Sequence, residues 1–314
     1  MIDSAADITA WIVGEIAREL HLDPGTIDPA RPLSVCGLDS LTAAGLAADL
    51  EDHLGRPVPQ TLLGEDVSIQ DIARALSTDD SPPVSPPDLS PSPSVDYAAL
   101  DYSGWTRPQR ILQGVTTGLT RALGRIEVSG IDEVPRTGPL IFASNHLHIL
   151  DALWMFSILP RRTVFLVADE FRRRPIVGWL LGLGHSIFVK RGAGDRAAID
   201  QALTVLGRGG AIAVAPEGRL SRTGGLIEAL PGVARLGVEG GAAIVPVAMW
   251  GQEQLLRNWR HLRRVPIHVR FAAPVVLPRS ATTAKQLEAC TTTIMMALAD
   301  ALPADYRGVY SRPR

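Results

Sequence analysis

The chain has 314 residues, of which 46% are hydrophobic, and a formal net charge of −2. This composition excludes a disordered or fibrous protein, and the length allows about two domains of ordinary size. The two cysteines, Cys36 and Cys290, have neither disulfide-framework nor metal-site spacing, so we expect a reducing compartment and no metal. No apolar run reaches the roughly 18 residues that span a bilayer, which predicts a cytoplasmic protein.

The charge is unevenly distributed along the chain. Residues 1–80 hold 15 acidic and 4 basic side chains, whereas the remaining residues hold 18 acidic and 27 basic ones. This asymmetry predicts an acidic module joined to a basic one. The two could dock, or the basic module could meet an anionic surface. We expect no nucleic-acid partner.

Apolar residues at helical spacing predict a small helical bundle at the start of the chain, with helices over 4–20, from 41 onwards and over 69–76. Gly37-Leu38-Asp39-Ser40 opens the middle helix. On local chemistry, Asp39 and Ser40 are good helix N-cap residues.

Residues 36–41, together with Pro57-Val58-Pro59, also resemble an acyl or peptidyl carrier protein. The resemblance implies that a phosphopantetheinyl transferase attaches 4′-phosphopantetheine to Ser40 and that the arm holds an acyl thioester. Partner enzymes would then read the acidic face that follows Ser40.

Residues 81–94 contain six prolines and predict an extended linker that spans roughly 40 Å. Such a linker would let a carrier domain swing between sites, although an inert spacer has the same composition. We therefore expect a carrier-like domain over 1–78, a linker over 79–103 and a larger domain over 104–314.

In the larger domain, short apolar runs alternate with helical patterns. This alternation predicts an α/β fold with a largely parallel or mixed sheet. The predicted strands are 139–143, 163–168, 186–189, 211–215, 243–249 and 267–271. The predicted helices are 152–159, 171–183, 196–206, 232–239, 252–260 and 284–302.

A histidine and a carboxylate follow the first of these strands. His146 and Asp151 are five residues apart, so they meet only if the chain turns between them. A base held by a carboxylate can activate a hydroxyl group. The alternative is that Asp151 caps the next helix and that His146 is an ordinary loop residue.

Two further polar clusters also follow strands. Lys190 and Arg191 end one strand, and Pro216-Glu217-Gly218-Arg219 follows another. Because ligands of open α/β sheets bind beyond the carboxyl ends of the strands, the three clusters together predict one site for an anionic substrate. Taken separately, they could be a solvated strand end and an ordinary turn.

The order of these clusters resembles the glycerolipid acyltransferase family, which includes the lysophosphatidic acid acyltransferases. The resemblance runs from about Gly130 to the end of the chain and covers four family blocks. They are Asn145-His146 with Asp151; Gly184, Phe188 and Arg191; Pro216-Glu217-Gly218 with Ser221; and Ile244-Val245-Pro246-Val247.

The resemblance implies an O-acyltransferase of phospholipid biosynthesis. It would move a fatty acyl group from a thioester, on an acyl carrier protein or acyl-CoA, to a lysophospholipid such as 1-acyl-glycerol-3-phosphate. His146 would act as the general base, and Asp151 would orient it. The acceptor would be held by Asn145, Arg191, Glu217, Gly218, Arg219 and Ser221.

Some residues depart from the family pattern. His148 stands at a usual Ser position, and Leu220 stands at the usual position of the phosphate-binding Arg, with Arg219 and Arg222 nearby. His148 could contact the acceptor. The acceptor could also be an alcohol or amine of secondary metabolism. A non-catalytic carrier or scaffold protein is the remaining alternative.

Residues 107–125, 172–181 and 255–264 combine arginines with apolar residues, and the last two include Trp179 and Trp259. Such segments are typical of the interface of an anionic bilayer. They predict peripheral attachment to the cytoplasmic face of a membrane, whereas the alternative is ordinary helices that pack on the sheet.

Overall fold

The computed structural model describes residues 4–20, 23–33, 46, 50, 53–54, 58, 62, 67–77, 95–148, 150–190, 195–221, 223–254 and 264–311. The chain folds into two compact units, Met1–Ser92 and Pro93–Arg314. Each unit has its own hydrophobic core.

The first unit contains helices α1 (Ala5–Leu20) and α2 (Ile69–Ser77). Its core includes Ile8 and Ile12 from α1 and Ile69 from α2, all without exposed surface. Leu50, an apolar position of the predicted middle helix, lies in the same core. The helical character expected of this unit is confirmed. Ser40 and its motif lie outside the described residues.

The second unit is built on a seven-stranded mixed sheet in the order β1-β7-β6-β2-β5-β3-β4. Only β6 and β7 pair antiparallel among the described strands. The α/β fold class is thus confirmed. The strands are β1 (Gly124–Ser129), β2 (Leu140–Ser144), β3 (Thr163–Ala168), β4 (Ile187–Val189), β5 (Ala211–Val214), β6 (Ala243–Trp250) and β7 (Val265–Phe271).

Helices cover both faces of this sheet. Successive side chains of a strand point to opposite faces, so Leu140 and Phe142 of β2 enter one core cluster while Ile141 and Ala143 enter another. All four are fully buried, as expected for a strand that is covered on both sides. The helices are α3 (Arg107–Leu123), α4 (Asp151–Ile158), α5 (Pro175–Leu183), α6 (Arg196–Gly207), α7 (Gly232–Gly240) and α8 (Ala284–Ala301).

Three elements differ from the prediction. β1 was not predicted, because most of its side chains are exposed and it has no continuous apolar run. The helix predicted from 171 begins at Pro175, after a 3₁₀ turn at Asp169–Arg173, because proline suits the first turn of a helix and not its interior. Where a helix was predicted from 252, the described residues form only the 3₁₀ turn Gln252–Gln254.

The start of the second unit packs on its sheet. Tyr97 and Tyr102, within the segment predicted to be linker, are buried in its core. The Tyr97 hydroxyl donates to the Ser186 carbonyl oxygen at 3.1 Å, just before β4. Among the described residues, no helix has both the length and the apolar character needed to cross a membrane.

Candidate active site

The loop that leaves the carboxyl end of β2 is fixed by Asn145. Its Nδ2 donates to the Met249 carbonyl oxygen at 2.7 Å, and its Oδ1 accepts from the Met249 N–H at 2.8 Å. A buried amide that is paired on both sides with backbone holds that backbone in place. The structure therefore places Asn145, a predicted substrate-binding residue, as a brace between β2 and β6.

His146 and Asp151 meet across the turn that follows Asn145. The Asp151 Oδ2 atom lies 3.0 Å from His146 Nδ1, and it accepts N–H groups from Leu147 at 2.8 Å and from His148 at 2.9 Å. These amides belong to the loop before α4, so Asp151 holds the loop in place and is not the N-cap of the helix. When Nδ1 donates to the carboxylate, Nε2 of the imidazole is left to accept a proton.

The second imidazole of this loop has a different environment. Nδ1 of His148 accepts from the Leu150 N–H at 3.2 Å, and the backbone N–H of His148 donates to Asp151 at 2.9 Å. The side chain of His146 is 29% exposed while that of Asp151 is 4% exposed. His146 therefore combines a carboxylate partner with access to solvent.

Glu217 binds the same loop from the other side. Its Oε1 accepts from the His146 N–H and its Oε2 from the Ile227 N–H, both at 3.0 Å. Glu217 is only 3% exposed. Burial raises its pKa to about 7, against the lowering effect of the two N–H groups. Glu217 is thus placed to position His146.

The residues after Glu217 complete this connection. The Ser221 N–H donates to the His146 carbonyl oxygen at 2.8 Å, so both backbone groups of His146 are bound by one loop. The Ser221 hydroxyl donates to the Gly225 carbonyl oxygen and is buried. Gly218 has a φ of +67°, and a Cβ there would lie 2.8 Å from Leu230 Cδ1. The turn therefore requires glycine.

Two cations follow the neighbouring strands in the described part of the chain. Arg219 is exposed and has no partner among the described residues, and Lys190 is exposed at the end of β4. Asp195 accepts the Lys190 backbone N–H at 3.0 Å. Arg191 and Arg222, the other predicted anion-binding residues, lie outside the described residues.

One residue of this site was missed in the sequence. Gln252, which has no exposed surface, donates from Nε2 to Asp151 Oδ1 at 3.1 Å. It follows Gly251 at the carboxyl end of β6, where Gly251 has a φ of +96°. A polar residue just beyond a glycine at a strand end was the available signal, and the predicted helix over 252–260 obscured it.

Comparisons with known proteins identify both parts of the chain. Residues 125–250 match the model of the family "Acyltransferase", and residues 10–76 match that of the family "Phosphopantetheine attachment site". The second match contains Ser40. The first contains the loops that carry His146, Asp151 and Glu217.

Individual relatives agree with the first match. The 1-acyl-sn-glycerol-3-phosphate acyltransferase alpha of Homo sapiens is 30% identical over 155 residues, which cover 48% of this chain and 55% of that protein. The lyso-ornithine lipid O-acyltransferase of Pseudomonas aeruginosa is 32% identical over 125 residues, covering 40% of this chain and 46% of that protein. The chain thus spans about half the length of the curated relatives it matches.

A solved structure shares the fold. The 1-acyl-sn-glycerophosphate (LPA) acyltransferase PlsC from Thermotoga maritima superposes with a TM-score of 0.50 at 18% identity, covering 62% of this chain and 78% of that one. The chain therefore combines a region similar to the phosphopantetheine attachment site family with a region similar to the acyltransferase family.

Proposed function

We propose that this protein is an O-acyltransferase of phospholipid biosynthesis, which moves a fatty acyl group from a thioester to a hydroxyl of a lysophospholipid. The observation that carries the proposal is the 3.0 Å contact between His146 Nδ1 and Asp151 Oδ2 in a partly exposed loop at a strand end. The acyltransferase relatives and the fold support the same reaction class.

In the proposed reaction, Nε2 of His146 takes the proton of the acceptor hydroxyl as the oxygen attacks the thioester carbonyl carbon. Asp151 holds the imidazole in the required tautomer and stabilises the imidazolium that forms. When the tetrahedral intermediate collapses, the new C–O bond remains and the C–S bond breaks. The thiolate leaves and takes the proton back from the imidazolium.

The proposed acceptor is an anionic lysolipid such as 1-acyl-glycerol-3-phosphate. Arg219 supports this because its guanidinium is exposed close in sequence to Glu217 and Gly218, whose loop is bonded to His146. Arginine forms paired hydrogen bonds with phosphate oxygens. Arg191 is proposed to contribute a second cation, and Gly218 to let the acceptor approach the backbone.

A lysolipid without glycerol phosphate is the second candidate acceptor. The observation that favours it is Leu220, which stands where the family pattern has its phosphate-binding arginine. The relative from Pseudomonas aeruginosa acylates a lyso-ornithine lipid by its name. A zwitterionic acceptor of this kind would need fewer cations than a phosphate monoester.

We further propose that Ser40 carries 4′-phosphopantetheine, attached by a phosphopantetheinyl transferase. The match of residues 10–76 to the phosphopantetheine attachment site family supports this. The arm would present the acyl donor as a thioester, and acyl-CoA is the alternative donor.

Peripheral membrane attachment is proposed through α3. This helix turns its polar side inwards, where Gln113 Nε2 donates to the Phe156 and Leu159 carbonyl oxygens at 3.1 and 3.2 Å. Its apolar residues Ile111, Val115 and Leu119 are 70%, 63% and 48% exposed. Exposed arginines at 107, 110 and 121 accompany this stripe, which suits an anionic lipid surface.

The lipid surface is tested by co-sedimentation with phosphatidylglycerol vesicles. Replacing Ile111, Val115 and Leu119 together by Ser should reduce the bound fraction several-fold. A matched control replaces Val276 and Val309, which are 78% and 63% exposed elsewhere on the unit, and should bind like the wild type. Equal binding by all three proteins would remove the assignment of α3.

The reaction is tested by incubating the purified protein with acyl-CoA or acyl-loaded carrier and a panel of acceptors. The panel contains lysophosphatidate, lyso-ornithine lipid and a simple long-chain alcohol or amine, and products are identified by mass. Acylated lysophosphatidate is the expected main product. Acylation of the ornithine lipid alone would select the second acceptor, and no product with any pair would reject the function.

A further inference from the structure

The environment of Asp151 is asymmetric. Its Oδ2 atom accepts three groups, from His146 Nδ1 and from the backbone of Leu147 and His148. Its Oδ1 atom accepts from Gln252 Nε2 at 3.1 Å. Because Asp151 is 3% exposed, water has little access to replace a lost donor. Gln252 therefore decides how the second oxygen of this carboxylate is held.

The turn that carries Gln252 is itself braced. The Gly251 N–H donates to Glu253 Oε2, and the Tyr306 hydroxyl donates to Glu253 Oε1, both at 2.8 Å. A Cβ at Gly251 would lie 2.2 Å from the Pro266 carbonyl oxygen, so the chain passes close to β7 here. These contacts hold the amide of Gln252 in one position.

The amide of Gln252 also has one unsatisfied polar atom. Its Oε1 atom is buried without a hydrogen-bond partner among the described residues. An unsatisfied buried acceptor costs about 1–3 kcal/mol, and such groups are expected where another role maintains them. The bond that Nε2 makes to Asp151 is the role that the geometry offers.

We propose that Gln252 is a positioning residue, which acts on His146 through Asp151. Its Nε2 donor holds Oδ1 of the carboxylate and so orients Oδ2 towards the imidazole. Residue 252 lies just beyond the matched acyltransferase region and outside the four blocks. The inference rests on the proposed function for its effect on rate, but not for its effect on the His146–Asp151 contact.

The substitution Gln252→Glu tests this with a pH profile. A protonated Glu at 252 can still donate to Asp151 Oδ1, whereas an ionised one places a second carboxylate against it. The ionisable groups near Asp151 include His146, His148 and Glu217, and Glu253 lies in the turn that carries Gln252. The ratio of variant to wild-type kcat should therefore fall by about tenfold or more as the pH rises from about 5 to about 8.

Two further variants complete the kinetic test. Gln252→Leu should lower kcat about tenfold at every pH and leave KM nearly unchanged, because it removes a donor without adding charge. Gln254→Glu makes the same charge change on the exposed residue two positions along the same turn, and it should follow the wild-type profile. If Gln252→Glu matches Gln254→Glu at every pH, the positioning role is wrong.

A spectroscopic readout separates this inference from the proposed function. In ¹⁵N-histidine-labelled protein, the Nδ1–H proton of His146 should exchange slowly with water because it is held by Asp151. The signal is assigned by its loss in His146→Ala. Gln252→Leu should broaden it, and Gln254→Leu should not.

The outcomes are distinct. An unchanged signal in Gln252→Leu, with activity lost in proportion to thermal stability, would mean a merely structural role and would overturn the inference. A broadened signal in a protein whose wild type acylates none of the acceptors would support the inference and reject the function.

Discussion

The Glu217 carboxylate is almost completely buried, and it accepts hydrogen bonds from two backbone N–H groups, one of them from His146. Its pKa is raised by burial to about 7 from an ordinary value of 4.5. Between these two pH values the folded state therefore binds more protons than the unfolded state. The contribution of Glu217 to the free energy of unfolding is therefore fully present below about pH 4.5 and is lost as the pH rises through about 7.

The variant Glu217→Gln should show this dependence directly. Because Gln does not ionise, the free energy of unfolding of the variant, relative to wild type, should rise by roughly 3 kcal/mol between pH 4.5 and pH 8. Urea unfolding at several pH values measures the difference. The control Glu228→Gln, on an exposed residue of the same loop, should give a difference that does not change with pH. Parallel behaviour of the two variants would contradict the buried carboxylate.

For single residues, the sequence predicted which side chains come together but not which groups their polar atoms bind. The spacing of His146 and Asp151 required a turn, and the structure has their side chains 3.0 Å apart. Asn145 and Glu217 were predicted to face a substrate, yet their polar atoms bind backbone. Amide and carboxylate groups bind ligands or backbone equally well, so residue type alone could not decide. Gln252 was missed because the pattern after β6 predicted a helix over 252–260.

Helix α3 is the element whose orientation the sequence predicted least well. Its apolar residues were predicted to meet a bilayer or to pack on the sheet, but the structure divides them, because Leu112 and Leu123 pack on the core while Ile111 and Val115 are exposed. The reason lies in the tertiary structure. The carbonyl groups at the end of α4 have no donors within their own helix, and the side chain of Gln113 donates to them. Helical periodicity carries no information about such partners.

This arrangement predicts that, on α3, loss of a polar side chain lowers the free energy of unfolding more than loss of an apolar one. Gln113→Ala should lower the free energy of unfolding by about 1–3 kcal/mol, because it leaves the carbonyls of Phe156 and Leu159 without their donor. Val115→Ala should change it by less than about 0.5 kcal/mol, because that side chain is 63% exposed and Ala favours a helix. Chemical denaturation checks both. A larger loss for Val115→Ala would mean that the helix packs the other way round.

At the scale of the whole molecule, the sequence predicted an acidic helical unit and a basic α/β unit, and both folds are confirmed. Short continuous apolar runs, such as the one that forms β2, made most strands of the sheet predictable from local pattern. Its strand order was not predictable, because pairings such as β1 with β7 join residues far apart in sequence. The reading of residues 36–41 as a carrier motif agrees with the family match, although Ser40 itself lies outside the described residues.

The two-unit organisation predicts that the proposed carrier unit and the proposed catalytic unit can be tested separately. Co-expression with a phosphopantetheinyl transferase should add the mass of one phosphopantetheine to the wild type and none to Ser40→Ala. Ser34→Ala, at a nearby serine outside the motif, should be modified like the wild type. Ser40→Ala should still transfer from acyl-CoA if that donor bypasses the arm. Modification of Ser40→Ala in intact-mass spectra would place the arm elsewhere.

The central claim is that His146, held by Asp151, removes the acceptor proton. The most direct test compares acyl transfer to lysophosphatidate by His146→Ala and His148→Ala, with thermal unfolding confirming that both are folded. His146→Ala should lose about 10²–10⁴-fold in kcat, the usual contribution of general-base catalysis, whereas His148→Ala should stay within about tenfold of the wild type. Transfer by His146→Ala at the wild-type rate would contradict the account.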